Sequence, residues 1–145
     1  MFIFYDIEYL CLLSDVRQLS LIRDDGYKIF VPHLQVQGYS SDIKGKIRNC
    51  EESKLIEMLD CYGFDDFLHE HDLINSVFGK GFLFLLHCCK ANDIALVIDN
   101  TRLSQIALCN KLKIKIISIE MFNREVIRNE QYYNFLMANK DRIMI

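Results

Sequence analysis

The chain has 145 residues, a length that suits one domain with a substantial hydrophobic core. Hydrophobic residues make up 51% of the chain and charged residues 26%, proportions typical of a globular protein rather than a disordered one. The formal net charge of −3 provides no broad basic field, so any contact with nucleic acid has to be local.

The sequence has no feature of a membrane or secretory protein. No apolar run reaches membrane-spanning length. Acidic residues interrupt the apolar stretch 1–21, whereas a signal peptide has a basic start followed by an unbroken apolar middle. We therefore expect a single domain over residues 1–145 that is cytoplasmic and has no membrane partner.

The cysteines do not follow the spacing of a metal site. Zinc sites usually need two close cysteine pairs, or one pair with spaced histidines, and the chain has no C-x-x-C pair. His69 and His71 are two residues apart, but no cysteine pair accompanies them. We expect buried free thiols in a reducing compartment. The six residues concerned are Cys11, Cys50, Cys61, Cys88, Cys89 and Cys109.

The first thirty or so residues follow a strand, acid, helix, strand pattern. Residues 2–5 are rich in β-formers and end at Asp6, after which apolar residues at helical spacing continue to Ile22. The run Asp24-Asp25-Gly26 is a turn signal, and residues 28–31 form a second predicted strand that Pro32 ends.

The middle of the chain is predicted to be mostly helical. Ser40 and its polar neighbours cap a helix that runs to about residue 49, and residues 51–61 are predicted to form an amphipathic helix. Residues 65–71 are acidic and predict a solvated loop or a short helix. Residues 73–89 become strongly apolar and predict a buried helix.

A second strand, acid, helix, strand pattern follows. The apolar run 94–98 is too short for a free-standing helix and is typical of a strand that is buried on both faces. It ends at Asp99, a helix is predicted to begin just after it, and residues 115–119 form the next predicted strand. Open α/β sheets bind ligands at the carboxyl ends of such strands. The alternative interpretation makes Asp99 or Asn100 a plain helix cap.

Taken together, the two patterns predict an α/β fold, a three-layer α/β/α sandwich with a mostly parallel central sheet. The tail, residues 122–137, carries several aromatic residues and a methionine. It predicts a helix that packs either on the sheet or on a partner, since such residues are enriched in interface cores. A homodimer or a larger protein assembly is therefore one expectation.

Two stretches of the chain resemble the PIN-domain nucleases, in particular their toxin-like branch. The first has a strand that ends in Asp6, a helix with a leucine pattern and a strand closed by Val31-Pro32, and reads IFYDIEYLCLLSDVRQLSLIRDDGYKIFVPHLQVQGY. The second has the late strand with its acidic position and reads LVIDNTRLSQIALCNKLKIKII. The resemblance implies a PIN-like fold, and it leaves residues 42–75 unaligned.

The chemistry of that family needs carboxylates that hold Mg²⁺ or Mn²⁺ against a scissile phosphate. The resemblance makes Asp6 and Asp99 the catalytic and metal-binding acids. It places Asn100 where a second late acid is common, with a carbonyl that can bind metal but carries no charge. Glu8 is a substitute ligand if the strand continues past Asp6, and otherwise a solvated acid in the first turn of the helix.

The sequence departs from the family pattern at two positions that are usually acidic. The window after Val-Pro offers Gln35 and Gln37 instead of a carboxylate, and a Gly-Glu step is replaced by Gly79-Lys80. If Lys80 points into the acidic cluster, it supplies positive charge that pairs with the aspartates in place of a metal ion.

The resemblance therefore implies a degenerate or inactive nuclease that serves as an RNA-binding or protein-binding subunit. The alternative is an active endoribonuclease of the toxin–antitoxin type that uses Asp6 and Asp99 with Mg²⁺ or Mn²⁺. Without activity, no cofactor is expected.

Overall fold

A parallel sheet lies at the centre of the computed structural model, which describes residues 1–128, Asn134 and Ala138. Within these residues the strands run in the spatial order β3-β2-β1-β4-β5, and every neighbouring pair is parallel. This confirms the predicted α/β fold with a parallel sheet. The strands are β1 (Phe2–Phe4), β2 (Ile29–Pro32), β3 (Glu57–Leu59), β4 (Ala95–Val97) and β5 (Ile116–Ile117).

Helices cover both faces of the sheet, which gives the three layers of the predicted sandwich. In chain order the helices are α1 (Ile7–Asp15), α2 (Gln18–Asp24), α3 (His33–Val36), α4 (Ser41–Glu52), α5 (Phe64–Glu70), α6 (Lys80–Asn92), α7 (Leu103–Lys111) and α8 (Ile119–Phe122), the last continued by a π-helical turn (Asn123–Ile127). Residues of α1, α2, α4 and α8 share one buried cluster with the sheet, and residues of α5, α6 and α7 share a second.

Neighbouring residues of the central strands point to opposite clusters. Phe4 and Val97 belong to the cluster with α1, whereas Ile3 and Leu96 belong to the cluster with α6, and each of the four is at most 1% exposed. A strand in a sheet directs successive side chains to opposite faces. The uninterrupted apolar runs of the sequence are therefore explained by burial on both faces, as in other parallel sheets.

The strand β3 corrects the prediction of an amphipathic helix over residues 51–61, which is wrong. The helix α4 ends at Glu52, because Lys54 adopts a left-handed conformation (φ 59°) and the N–H of Leu55 donates to the Cys50 carbonyl at 2.9 Å. This is the pattern of a helix-terminating motif that glycine usually signals. Because no glycine marks the end of α4, the sequence does not show where the helix stops. The mixture of charged and apolar residues that follows then predicts an amphipathic helix instead of a strand.

Three other predicted elements have different bounds. Arg17 is left-handed (φ 60°) and separates α1 from α2, where one continuous apolar pattern was predicted. The acidic segment 65–71 is the short helix α5, one of its two predicted forms. Of the predicted helix 73–89, only the part from Lys80 onward is helical, and turns and bends precede it.

The same helix-terminating motif precedes two of the strands. Asp93 (φ 52°) and Lys113 (φ 59°) are left-handed, and the following residues, Ile94 and Ile114, donate back to the carbonyls of Cys89 and Cys109 at 2.9 Å. Each motif turns the chain from a helix directly into a sheet strand. A polar residue with positive φ is energetically costly compared with glycine.

The predicted terminal helix is described only in its first part. Phe122 is fully buried and its ring meets those of Phe2 and Phe4 edge-on, at 5.2 and 5.1 Å between centroids. Residues 129–133 and 135–137 of the predicted interface helix lie outside the described residues. Among the described helices, none is both long enough and apolar enough to cross a membrane.

The left-handed position 113 generates a stability prediction. Lys113→Gly should raise the free energy of unfolding by about 1 kcal/mol, because glycine adopts positive φ without the steric cost of a Cβ. The nearby Ala107→Gly, at an exposed position in the middle of α7, should lower it by about 0.5–1 kcal/mol. Urea denaturation of both variants checks this. Equal destabilisation by both would contradict the strain argument.

Candidate functional site

The pairing of β1 with β4 brings two acidic positions to one edge of the sheet. Phe4 pairs with Val97, and the N–H of Tyr5 donates to the Val97 carbonyl at 2.9 Å. Asp6 and Asp99 each follow the paired residue by two positions, so they leave neighbouring strand ends at the same level. The carboxyl edge of a parallel sheet is where ligands bind in this class of fold.

Asp6 is the N-terminal cap of α1. Its Oδ1 accepts hydrogen bonds from the backbone N–H of Glu8 at 2.9 Å and of Tyr9 at 3.4 Å. These donors have no partner inside the helix, so a carboxylate at the cap stabilises the helix start. The carboxylate of Asp6 is therefore already engaged, through one of its oxygens, by the backbone of α1.

The Asp99 carboxylate also accepts hydrogen bonds from a residue that follows it in the chain, and it is more deeply buried than that of Asp6. Its Oδ2 accepts from the Thr101 hydroxyl at 2.6 Å, and its Oδ1 accepts from the Thr101 N–H at 3.4 Å. The residue is 7% exposed, whereas the adjacent Asn100 is exposed. Asp99 belongs to a polar turn that leads toward α7. The N-cap of α7 is Arg102, so the alternative interpretation of Asp99 or Asn100 as the helix cap is wrong.

A shallow cleft of about 150 Å³ opens beside Asp6. Asp99 does not line this cleft, so the two aspartates that the sequence predicts together face different surroundings. The guanidinium of Arg102 lies over the Tyr5 ring, 4.4 Å from its centroid, in cation–π contact. The Phe82 ring supports Tyr5 from the side, at 5.7 Å. The cleft is lined by Tyr5, Asp6, Glu8, Tyr39 and Arg102.

The charges in the cleft influence one another. Burial raises the pKa of Asp6 above its usual range and the negative charge of Glu8 raises it further, while the two backbone donors and Arg102 oppose the shift. Burial also raises the pKa of the Tyr39 hydroxyl, and Asp6 and Glu8 add to that effect. The cleft therefore resists additional negative charge, and Arg102 is the cation that compensates for Asp6.

The positions where acids are replaced contribute little charge to this cleft. The side-chain amide of Gln35 donates to the carbonyls of Phe4 at 2.6 Å and Tyr5 at 3.4 Å, at the end of β1. Its own Oε1 is buried and accepts no hydrogen bond within the described residues. Gln37 is exposed. Lys80 is exposed at the start of α6, and within the described part of the chain it makes no ion pair with either aspartate.

The residues present do not fit the ion that the family resemblance implies. Mg²⁺ and Mn²⁺ prefer several oxygen ligands, and the family binds them with a cluster of carboxylates. Within residues 1–128, no three histidine, cysteine, aspartate or glutamate side chains converge in a group that could hold a metal ion. The cleft instead combines the two carboxylates of Asp6 and Glu8 with the guanidinium of Arg102, which offers a divalent ion fewer oxygen ligands than a cluster of carboxylates does.

Sequence reasoning did not single out three of the residues that line the cleft. In the sequence, Tyr5 is the last residue of a predicted strand, Tyr39 lies between predicted elements, and Arg102 is one of several basic residues. For Arg102 a signal was present, because it stands three residues after the strand-end acid and immediately before α7. For Tyr39 no sequence pattern indicated that it approaches Asp6.

Comparison of the chain with protein-family models, with curated proteins and with solved structures finds no match.

The raised pKa of Asp6 generates a pH-dependent prediction. Because folding favours the protonated carboxyl, this group's contribution is fully present below its unfolded pKa and is lost as pH rises through the folded pKa. Asparagine keeps the helix cap but does not titrate. Asp6→Asn should therefore be more stable than the wild type at pH 7, and the difference should shrink toward pH 3.

The measurement is urea denaturation at several pH values, with Asp25→Asn at an exposed turn as the matched control. The control should show no comparable gain at pH 7. Asp6→Ala should instead lose about 1 kcal/mol, because the cap is removed. An Asp6→Asn variant that is less stable than the wild type at pH 7 would contradict the assignment.

Proposed function

We propose that the chain is a PIN-like domain whose nuclease centre has lost its metal-binding cluster, and that it acts as a non-catalytic binding subunit. In this proposal the cleft beside Asp6 receives a basic segment of a protein partner. The observation that carries it is the composition of the cleft: two carboxylates, two tyrosines and one guanidinium, without a third acid.

The family part of the proposal rests on sequence and is supported by the sheet. The resemblance includes a first strand that ends in Asp6 and a late strand that ends in Asp99. In the sheet these two strands are direct, parallel neighbours, with β1 in the middle. Two distant stretches that resemble one family are thus adjacent in space, as a shared site at the carboxyl edge requires.

The loss of catalysis is supported by what each acidic side chain binds. Asp6 caps α1, and Asp99 is held by the Thr101 hydroxyl at 2.6 Å. Positive charge near Asp6 comes from Arg102. A metal-dependent nuclease needs the ion itself to generate hydroxide and to neutralise the phosphate, and this cleft offers the ion too few carboxylates.

The electrostatics of the cleft favour a cationic ligand over an RNA phosphate. Asp6 and Glu8 together outweigh the single charge of Arg102, so a phosphate would meet net repulsion. A lysine or arginine side chain would instead complement the two carboxylates, and the Tyr39 ring is close enough to be influenced by both. The formal net charge of −3 agrees with an acidic surface that attracts a basic partner.

The same proposal places the protein in the cytoplasm as part of a protein assembly, which includes a homodimer as one form. The five buried thiols agree with a reducing compartment. The alternative is the Mg²⁺-dependent or Mn²⁺-dependent endoribonuclease, and the adjacency of the strands that carry Asp6 and Asp99 is the observation that favours it.

A cleavage assay separates the two functions. Purified chain should not cleave a mixed single-stranded RNA in Mn²⁺ above the level of Asp6→Asn and Asp99→Asn, because the residues around the cleft bind the ion too weakly. The readout is the RNA length distribution with Mn²⁺ and with EDTA. Cleavage that EDTA and both substitutions abolish would establish the nuclease and refute the proposal.

A binding assay tests the partner chemistry. A fluorescent lysine-rich and arginine-rich peptide should bind at low salt, and Glu8→Gln should weaken it about fivefold, as expected for the loss of about 1 kcal/mol from one exposed charge pair. Fluorescence anisotropy measures both affinities.

The matched control is Glu51→Gln, because Glu51 is an exposed acid at the far end of α4 from the carboxyl edge. It should leave the affinity unchanged. A labelled single-stranded RNA is the competing ligand. RNA that binds more tightly than the peptide, and loses its affinity in Arg102→Ala, would favour an RNA-binding subunit and overturn the proposed protein partner.

A further inference from the structure

One cysteine differs from the others in its exposure. Within the described chain, which contains every cysteine of the sequence, all six are free thiols. Five are buried, and Cys61 is only partly buried. Cys61 lies in the connection between β3 and α5, on the side of the sheet that α6 covers. It is therefore the thiol that a small oxidant in solution reaches first.

The residues on both sides of Cys61 are fixed by hydrogen bonds. The Asp60 carboxylate accepts a hydrogen bond from Nδ1 of His33 at 2.6 Å. The Tyr62 carbonyl is 2.7 Å from Nε2 of His87, and because a carbonyl oxygen only accepts, the imidazole donates. His87 is in α6, so this bond holds the connection directly against that helix.

The Cys61 thiol lies beside α6, close to the turn that begins at Cys88, the residue after His87. The side-chain amide of Asn92 lies 3.6 Å from Cys61 Sγ and donates to the Cys88 carbonyl at 3.0 Å. Residues 88 and 92 are one helical turn apart and share a face of α6. Asn92 therefore links Cys61 to the turn of α6 that carries Cys88. Burial raises the pKa of Cys88, and the neighbouring Cys61 raises it further.

We propose that Cys61 and Cys88 form an oxidation site, at which a peroxide converts the two thiols into an intramolecular disulfide. The peroxide first oxidises the accessible Cys61 thiol to a sulfenic acid and releases one water. The Cys88 sulfur then attacks the Cys61 sulfur, the S–S bond forms, and the hydroxyl leaves with the Cys88 proton as a second water. The two thiols lose two electrons and two protons, and the peroxide accepts them.

The hydrogen bonds around Cys61 favour a disulfide between Cys61 and Cys88. The bonds of Asp60 and Tyr62 hold Cys61 in place, so little conformational freedom has to be lost when the disulfide forms. Cys88 is itself fully buried, so the neighbouring Cys61, rather than an oxidant in solution, is the group that reaches it. Burial also raises the pKa of Cys88, so its thiolate is scarce at neutral pH and the second step should accelerate as pH rises.

The disulfide would tie the β3–α5 connection to α6 covalently. Asp60, which adjoins Cys61, pairs with His33 at the carboxyl edge of the sheet. Oxidation would thus restrain the end of the edge strand β3, which β2 separates from the strand β1 that leads to the proposed binding cleft. The restraint should appear as a higher melting temperature of the oxidised chain, because the cross-link reduces the entropy of the unfolded state.

The experiment exposes the folded full chain to hydrogen peroxide, blocks the remaining thiols with an alkylating reagent, and maps the peptides by mass spectrometry. The expected product is a peptide pair linked through Cys61 and Cys88, lighter than the reduced pair by two hydrogens and reversed by dithiothreitol. Its formation rate should increase between pH 7 and pH 9, and the melting temperature should rise in the wild type.

Variants keep the test decisive. Cys61→Ser changes a partly exposed residue and should abolish the cross-link and the melting-temperature rise, whereas Cys50→Ser, on the other face of the sheet, should leave both unchanged. Cys88→Ser should let Cys61 proceed to sulfinic acid. The proposal is overturned if wild-type Cys61 reaches sulfinic acid without the link, if the link joins other cysteines, or if no thiol of the folded chain reacts.

Discussion

The parallel pairing of β1 with β2 on one side and β4 on the other is the constraint on which the rest of the structure depends. Because Phe4 lies opposite Val97, the residues that directly follow these two leave the same edge of the sheet at the same level. The pairing also sorts successive apolar residues into two buried clusters, one under α1 and one under α6. A register shift by one residue would exchange the two faces and separate the acidic positions.

The chemistry of the carboxyl edge depends on the hydrogen-bond partners of the two acids at the strand ends, Asp6 and Asp99. Asp6 ends a strand and caps α1 through the backbone N–H of Glu8. Asp99 lies in the turn before α7 and accepts from the hydroxyl of Thr101. The PIN-domain nucleases, which the sequence resembles, gather further acids around an ion. Here Gln35 bonds to the end of β1 instead, and Arg102 supplies the positive charge beside Asp6. Local capping and a nearby guanidinium thus explain the arrangement without an ion.

The fold was predictable where hydrophobic periodicity and turn signals agree. The strands around Asp6 and Asp99 and the parallel sheet followed from short apolar runs that end in polar residues. The edge strand β3 was not predictable, because it is three residues long, partly exposed and preceded by a helix end at Lys54 without glycine. In the site, the positions of the two aspartates were predictable, but Tyr39 was not, because its approach to Asp6 depends on tertiary packing rather than on sequence spacing.

The central claim is that this edge of the sheet does not bind a catalytic divalent ion. The most direct measurement is the electron paramagnetic resonance signal of free Mn²⁺ titrated with the purified chain, compared with Asp6→Asn and Asp99→Asn. The account predicts that the free-ion signal in the presence of wild-type chain matches that of both variants up to millimolar Mn²⁺. A loss of signal that corresponds to one bound ion per chain, absent from both variants, would contradict it.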